Sequence, residues 1–193
     1  MTNLPFTGKF KITKFYGVPG NYKAKYHTGI DIVGLSNSNV YSVCDGNVKE
    51  IHDIDDNSYG KYIKIIDSAT KKIFLFAHLD KIFVKKNTLV NRLSIIGKMG
   101  STGNSSGPHT HIELRTSTDR YGEDENPALY MGLTNCSLDT IYNSSNFQLN
   151  ISNIPNLKYA SYCQNLEWQK EKKNGEMSGL YGKGLRIEAV IIN

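Results

Sequence analysis

Cysteine is scarce. The 193 residues contain only Cys44, Cys136 and Cys163, an odd number without C-x-x-C spacing, which argues against both a disulfide framework and a thiolate zinc site. Cys44, beside Asp45-Gly46, lacks the flanking residues of a nucleophile and reads as a small buried strand residue. Long apolar runs are also missing. A membrane-spanning helix needs roughly 20 apolar residues, whereas the greasiest stretches, 73–77 and 189–192, have strand length. The N-terminus, Met1-Thr-Asn-Leu-Pro-Phe, has no apolar segment of a secretory signal. The expected location is therefore the cytoplasm until release by another route, or outside after removal of a signal. No block of like charge occurs: 23 Lys+Arg are scattered against 18 Asp+Glu, for a net charge of +5. Nucleic-acid binding thus lacks a supporting motif. Residues 1–131 hold 17 of the basic and 13 of the acidic residues, so most of the excess lies there and suits an anionic partner.

What is present is mostly alternation of period two. Lys61-Tyr-Ile-Lys-Ile-Ile-Asp67, Lys71-Lys-Ile-Phe-Leu-Phe-Ala77 and His109-Thr-His-Ile-Glu-Leu-Arg115 are rich in β-branched and aromatic residues and predict strands. Asp45-Gly46 and Tyr59-Gly60 are turn signals around 47–54, predicting a meander of short antiparallel strands. No segment sustains a helical apolar stripe. From Gly132 onward, turn formers such as Asn143-Ser-Ser-Asn and Ile151-Ser-Asn-Ile-Pro-Asn156 read as a linker. The remainder carries the only tryptophan and ends in the strand-like Leu185-Arg-Ile-Glu-Ala-Val-Ile-Ile192, a small second β module.

Histidine carries the chemical signal. Four of the five histidines lie in His27-x-x-x-Asp31, Phe76-Ala-His78-Leu79 and His109-x-His111. On an extended strand His109, His111, Glu113 and Arg115 share one face, and so do His27, Gly29 and Asp31. Two imidazoles and one carboxylate around zinc leave a fourth position for water, the arrangement of a hydrolytic site, and two further histidines remain for proton transfer. The loop Gly97-Lys-Met-Gly-Ser-Thr-Gly-Asn-Ser-Ser-Gly-Pro108 leads into His109 and would wall a cleft. Tyr22 and Tyr26 are near enough to His27 in sequence to reach that cleft, whereas His52 on a polar strand is assigned to solvent. Taken singly, each of these pairs arises by chance; their concentration is what points to a metal site.

These motifs, Tyr26-His-Thr-Gly-Ile-Asp-Ile32, Asp45-Gly46, Phe76-Ala-His-Leu79 and Ile96 to Leu114, resemble the lysostaphin-like, LytM-like family of zinc peptidoglycan endopeptidases. The resemblance covers about residues 10–131 and implies a mainly β protein whose compact antiparallel sheet floors a groove. It implies that His27, Asp31 and His111 bind zinc and that His78 and His109 are the catalytic pair, in either order of roles. The expected substrate is a Gram-positive, clostridial wall; the basic excess suits anionic wall polymers as a further partner, and the missing signal points to a phage-type or clostridial lytic enzyme. The stretch after Lys158, with Trp168, resembles one clostridial hydrophobic-W repeat. That makes Trp168 a candidate wall-binding residue, with a core role in the module as the plainer alternative. The expected division is an endopeptidase domain at 1–131, a linker at 132–156 and a wall-binding module at 157–193. Two other readings stand beside it: a degenerate peptidase that only binds wall or regulates another hydrolase, and an iron oxygenase. The latter has no use for His78 and His109.

Overall fold

The computed structural model describes residues 3–56, 58–133, 138 and 140–144, and the strand backbone at 158–163, 172–173 and 187–192. The chain forms two compact units, 1–148 and 149–193. In the first unit the strands are β1 (Lys9–Lys14), β2 (Ile30–Gly34), β3 (Asn39–Tyr41), β4 (Gly46–His52), β5 (Tyr62–Asp67) and β6 (Ile73–Ala77). They continue as β7 (Leu79–Ile82), β8 (Leu89–Val90), β9 (Ile95–Met99), β10 (Thr110–Arg115) and β11 (Asp124–Glu125). A short helix α1 (Pro127–Tyr130), capped by the Asn126 side chain, precedes β12 (Ile141–Asn143). The second unit contains β13 (Lys158–Cys163), β14 (Lys172–Lys173) and β15 (Ile187–Ile192), antiparallel in the order β14-β13-β15.

Among the described residues, nine strands of the first unit form one antiparallel sheet in the order β12-β1-β2-β10-β6-β5-β4-β8, with β11 on β10. A smaller sheet, β3-β9-β7, accompanies it. The meander expected from the turn signals is β4-β5-β6. The strand that completes the site, β10, inserts between β2 and β6 and so joins segments far apart in sequence. Residues 141–143, in the stretch of turn formers, lie along β1 as β12.

Register makes one face apolar and the other reactive. Ile30, Ile112, Phe76 and Ile63 are aligned across four strands, and Leu114, Phe74 and Ile65 form the next row. All are buried, and full burial of each such side chain contributes about 1.5–3 kcal/mol. One residue along, the pleat turns over: Asp31, His111 and Ala77 are aligned on the opposite face. Cys44 is buried as expected but sits in the bend between β3 and β4 rather than in a strand.

Gly29, just before β2, marks a close approach. A Cβ there would lie 2.2 Å from the Ile112 carbonyl oxygen and 2.9 Å from the His111 ring. Gly29→Ala is therefore expected to destabilise the protein by about 2–3 kcal/mol through overpacking, measured by urea denaturation. Wild-type stability for this variant would contradict the register.

Candidate active site

Each histidine is placed by a local backbone device. The segment before His27 folds back on itself, with the His27 N–H donating to the Val18 carbonyl at 2.9 Å and Gly17 N–H donating to the His27 carbonyl at 2.8 Å. Asp31 and His111 are directly opposed on β2 and β10. His78 sits between β6 and β7 with φ +60°, a left-handed conformation in which histidine is enriched several-fold. Its N–H is held by the Tyr59 carbonyl at 2.9 Å. His109 enters β10 through a bridge to Gly100. The glycine-containing loop is strapped down: Thr102 Oγ1 donates to the Leu79 carbonyl at 2.9 Å and accepts from Lys61 N–H at 3.0 Å. Gly60 (φ +56°) passes so close that a Cβ would lie 2.4 Å from the Thr102 carbonyl carbon.

The structure brings His27, Asp31 and His111 together, with one donor atom of each within 4.8 Å of the others. His27 Nε2 is 3.0 Å from His111 Nδ1 and 3.1 Å from Asp31 Oδ1, and His111 Nδ1 is 2.9 Å from Asp31 Oδ1. His109 Nε2 lies 3.7 Å from Asp31 Oδ1. The His78 ring centroid is 4.7 Å from that of His109 and 5.9 Å from that of His111.

Tautomers follow from the outer partners, because a carbonyl or carboxylate can only accept. His27 Nδ1 donates to the Phe15 carbonyl, His78 Nδ1 to the Thr102 carbonyl and His109 Nδ1 to the Gly107 carbonyl, each at 2.8 Å. His111 Nε2 donates to Glu113 Oε1 at 3.1 Å. The nitrogen facing the other rings is therefore Nε2 in three cases and Nδ1 in His111; that Nδ1 also meets the Asp31 carboxylate at 2.9 Å and offers a lone pair only once the His111 cation has lost its second proton.

Two nitrogen lone pairs and a carboxylate about 3 Å apart repel one another unless positive charge lies among them. Burial disfavours the His111 cation, but hydrogen bonds and charge from Asp31 and Glu113 outweigh it and push the ring's pKa up to about 9. Burial likewise opposes ionisation of Asp31, yet His111 and His27 hold it far below the ordinary carboxylate range. The donor set thus fits a bound cation: three inward atoms at ligand spacing, each ring fixed from behind. His78 behaves differently. Burial, together with His109 and His111, lowers its pKa to about 4 against the bond to Thr102.

Residues without a role in the sequence reading complete the surroundings. Glu113 is fully buried and accepts from Thr28, Tyr59 and Arg115 as well as His111. The alternation His111-x-Glu113-x-Arg115 put both charged residues on the site face; Tyr59 and Thr28 left no sequence signal. Tyr22 packs beside His27, with ring centroids 5.7 Å apart. Tyr26 turns away to donate to Asp124 Oδ1 at 3.2 Å. His52 pairs with Asp56 at 2.7 Å and stacks on Tyr62. Burial and Asp67 push the Cys44 thiol up to about 12, so it stays protonated. Trp168 lies outside the described residues.

A sheet presenting two imidazoles and a carboxylate, with two further imidazoles beside them, is the arrangement of a metal-dependent hydrolase. The chain belongs to peptidase family M23, a metallopeptidase family, whose profile matches residues 25–127. Residues 162–193 match the profile of the clostridial hydrophobic W repeat. Among curated relatives, the peptidoglycan DD-endopeptidase ShyB of Vibrio cholerae is 38% identical over 89 residues, 46% of this chain and 20% of the relative. ShyC of the same organism is 32% identical over 112 residues, 56% of this chain and 24% of the relative. The matched stretch thus spans about a fifth to a quarter of these relatives. Among solved structures, the catalytic domain of the antimicrobial peptidase lysostaphin from Staphylococcus simulans aligns with TM-score 0.58 and 25% identity, covering 64% of this chain and 92% of that domain. A zinc-containing peptidase from Vibrio cholerae aligns with TM-score 0.54 and 27% identity, covering 64% of this chain and 38% of the other.

The lowered pKa of His78 has a sign. The unfolded chain takes up a proton near pH 6.5 and the folded chain only near pH 4, so stability is lost as pH falls through that window. In the presence of a chelator, His78→Gln is expected to lose less stability than wild type between pH 6.5 and 4, by urea denaturation. Equal losses would contradict a neutral buried His78.

Proposed function

We propose that the chain is a zinc-dependent endopeptidase that hydrolyses peptide bonds of bacterial peptidoglycan, in the stem peptide or the cross-bridge. The observation that carries the reading is the triangle of inward-facing His27 Nε2, His111 Nδ1 and Asp31 Oδ1, with His78 and His109 beside it. Zinc takes nitrogen and carboxylate ligands at about 2.0–2.2 Å, which in a tetrahedral site puts neighbouring ligand atoms about 3.3–3.6 Å apart; these three, at 2.9–3.1 Å, need to spread by only a few tenths of an ångström. Held there, zinc supplies Lewis acidity toward the scissile carbonyl and lowers the pKa of water.

His78 and His109 supply proton transfer. Both keep Nδ1–H on a backbone carbonyl, so both present the Nε2 lone pair. One Nε2 takes the proton of the attacking water, and the ring so protonated, through its Nε2–H, supports the developing charge and gives the proton to the leaving amide nitrogen. The roles are shared by the pair and are not divided between them here. The Asp31 carboxylate lies 3.7 Å from His109 Nε2, so metal ligand and proton carrier are neighbours in the site.

The peptidoglycan substrate is supported by the M23 match and by the names of the relatives. We further assign residues 1–131 to catalysis, 132–156 to a linker whose residues 141–143 extend the catalytic sheet as β12, and 157–193, with Trp168, to attachment at a Gram-positive, clostridial wall. The hydrophobic-W match supports that attachment. The excess of basic residues in 1–131 suits anionic wall polymers. The chain acts at the wall as a phage-type or clostridial lytic enzyme.

Purified protein with one equivalent of zinc is expected to release new amino termini from Gram-positive walls, and chelation is expected to stop it. His109→Ala or His78→Ala should lower the rate by about 10²–10⁴-fold with zinc retained. Lysis indifferent to chelation would sink the reading. Ligation by His111 requires loss of a proton whose pKa is about 9. Zinc affinity is therefore expected to weaken as pH falls below about 9, with protons released on binding. Calorimetry in buffers of different ionisation enthalpy measures that release, and a proton-independent affinity would contradict it.

A further inference from the structure

Glu113 touches no position that substrate could occupy, because it is completely buried behind His111. An unmet carboxylate at such depth is strongly destabilising, and this one is fully met. Its Oε1 accepts from Thr28 Oγ1 at 2.6 Å, from Tyr59 OH at 2.6 Å and from His111 Nε2 at 3.1 Å. Its Oε2 accepts from Arg115 Nε at 2.6 Å. Arg115 Nη2 also donates to the Tyr59 hydroxyl at 3.0 Å, which commits the hydroxyl proton to Glu113. Arg115 Nη1 pairs with Asp119 at 3.2 Å, and Asp119 in turn pairs with Lys49 at 2.9 Å and Lys64 at 3.0 Å. Lys64 also pairs with Glu50 at 3.1 Å, so three carboxylates and three cations balance along a continuous chain behind the site.

The groups on Glu113 come from every part of the site. Thr28 follows His27 in sequence, His111 donates directly, and the Tyr59 carbonyl holds the backbone N–H of His78. His27, His78 and His109 are each pinned through Nδ1 by a backbone carbonyl. His111 alone is pinned through Nε2, and alone by a carboxylate. The other neutral tautomer would put the proton on Nδ1, between His27 and the Asp31 carboxylate that face it at 3.0 and 2.9 Å, so occupying the inward lone pair and leaving Glu113 facing a lone pair.

Resting on the zinc reading above, we propose that Glu113 is a positioning residue: it fixes His111 as the Nε2–H tautomer, making Nδ1 the ligating atom, while Arg115 keeps the carboxylate aimed. A carboxylate partner also makes the imidazole a better donor than a carbonyl partner does. By holding Thr28 and Tyr59 on the same oxygen, Glu113 ties the segments of His27 and His78 to that ligand.

Glu113→Gln keeps the side-chain volume and removes the charge. Its zinc affinity, measured by competition with a chromophoric chelator, is expected to fall about 10–100-fold. In zinc-loaded wild type labelled with ¹⁵N-histidine, His27 should be metallated at Nε2 and His111 at Nδ1, with a proton on His111 Nε2. Unchanged affinity in a folded Glu113→Gln variant, or metallation of His111 at Nε2, overturns the positioning role while leaving the zinc site standing. Wild type that binds no zinc overturns the functional reading itself. If the variant fails to fold, the labelled wild type decides alone.

Discussion

The hydrogen bond from His111 to Glu113, with those from His27, His78 and His109 to backbone carbonyls, decides which nitrogen of each ring faces its neighbours. Imidazole has two nitrogens of opposite character when neutral, and a site of four rings is ambiguous until each is fixed from outside. Here every outer partner is an obligate acceptor, so the inward atoms all carry lone pairs. The cluster is left short of positive charge, and both the cation at His111 and the case for a bound metal follow from that shortage. A proton on His111 relieves it in part; a divalent cation relieves it more completely.

The sheet makes this arrangement repeatable. Antiparallel register sets Asp31 against His111, and the aligned apolar rows on the other face lock that register, since slipping by one residue would turn His111 into the apolar core and Ile112 onto the site face. The two proton-transfer candidates depend on loops rather than strands, yet these loops are tied. Thr102 holds the His78 ring and is itself held by Leu79 and Lys61. Positions off the sheet thus acquire much of the fixity of those on it, as catalysis by positioned proton carriers requires.

Period-two alternation made β5, β6 and β10 legible with ends close to those observed, and the clustering of four histidines disclosed the five residues that meet. Strand order was not legible, because β10 pairs with β2 and β6 through contacts spanning many tens of residues that no local pattern encodes. The left-handed turn at His78 was hidden for a similar reason, since it is imposed by the change from one sheet to the other. Glu113 was placed on the correct face by alternation, but its partners, Thr28 and Tyr59, arrive through the tertiary fold. Tyr22 and Tyr26 looked equivalent by distance along the chain, and the pull of Asp124 on Tyr26 separates them.

Everything proposed for the site depends on one zinc ion sitting among His27, Asp31 and His111. Crystals of zinc-loaded protein measured above and below the zinc absorption edge test it most directly. A single strong anomalous peak is expected within bonding distance of His27 Nε2, His111 Nδ1 and an Asp31 carboxylate oxygen. A peak bonded to other residues, or no peak there in protein that still cleaves peptidoglycan, would contradict it.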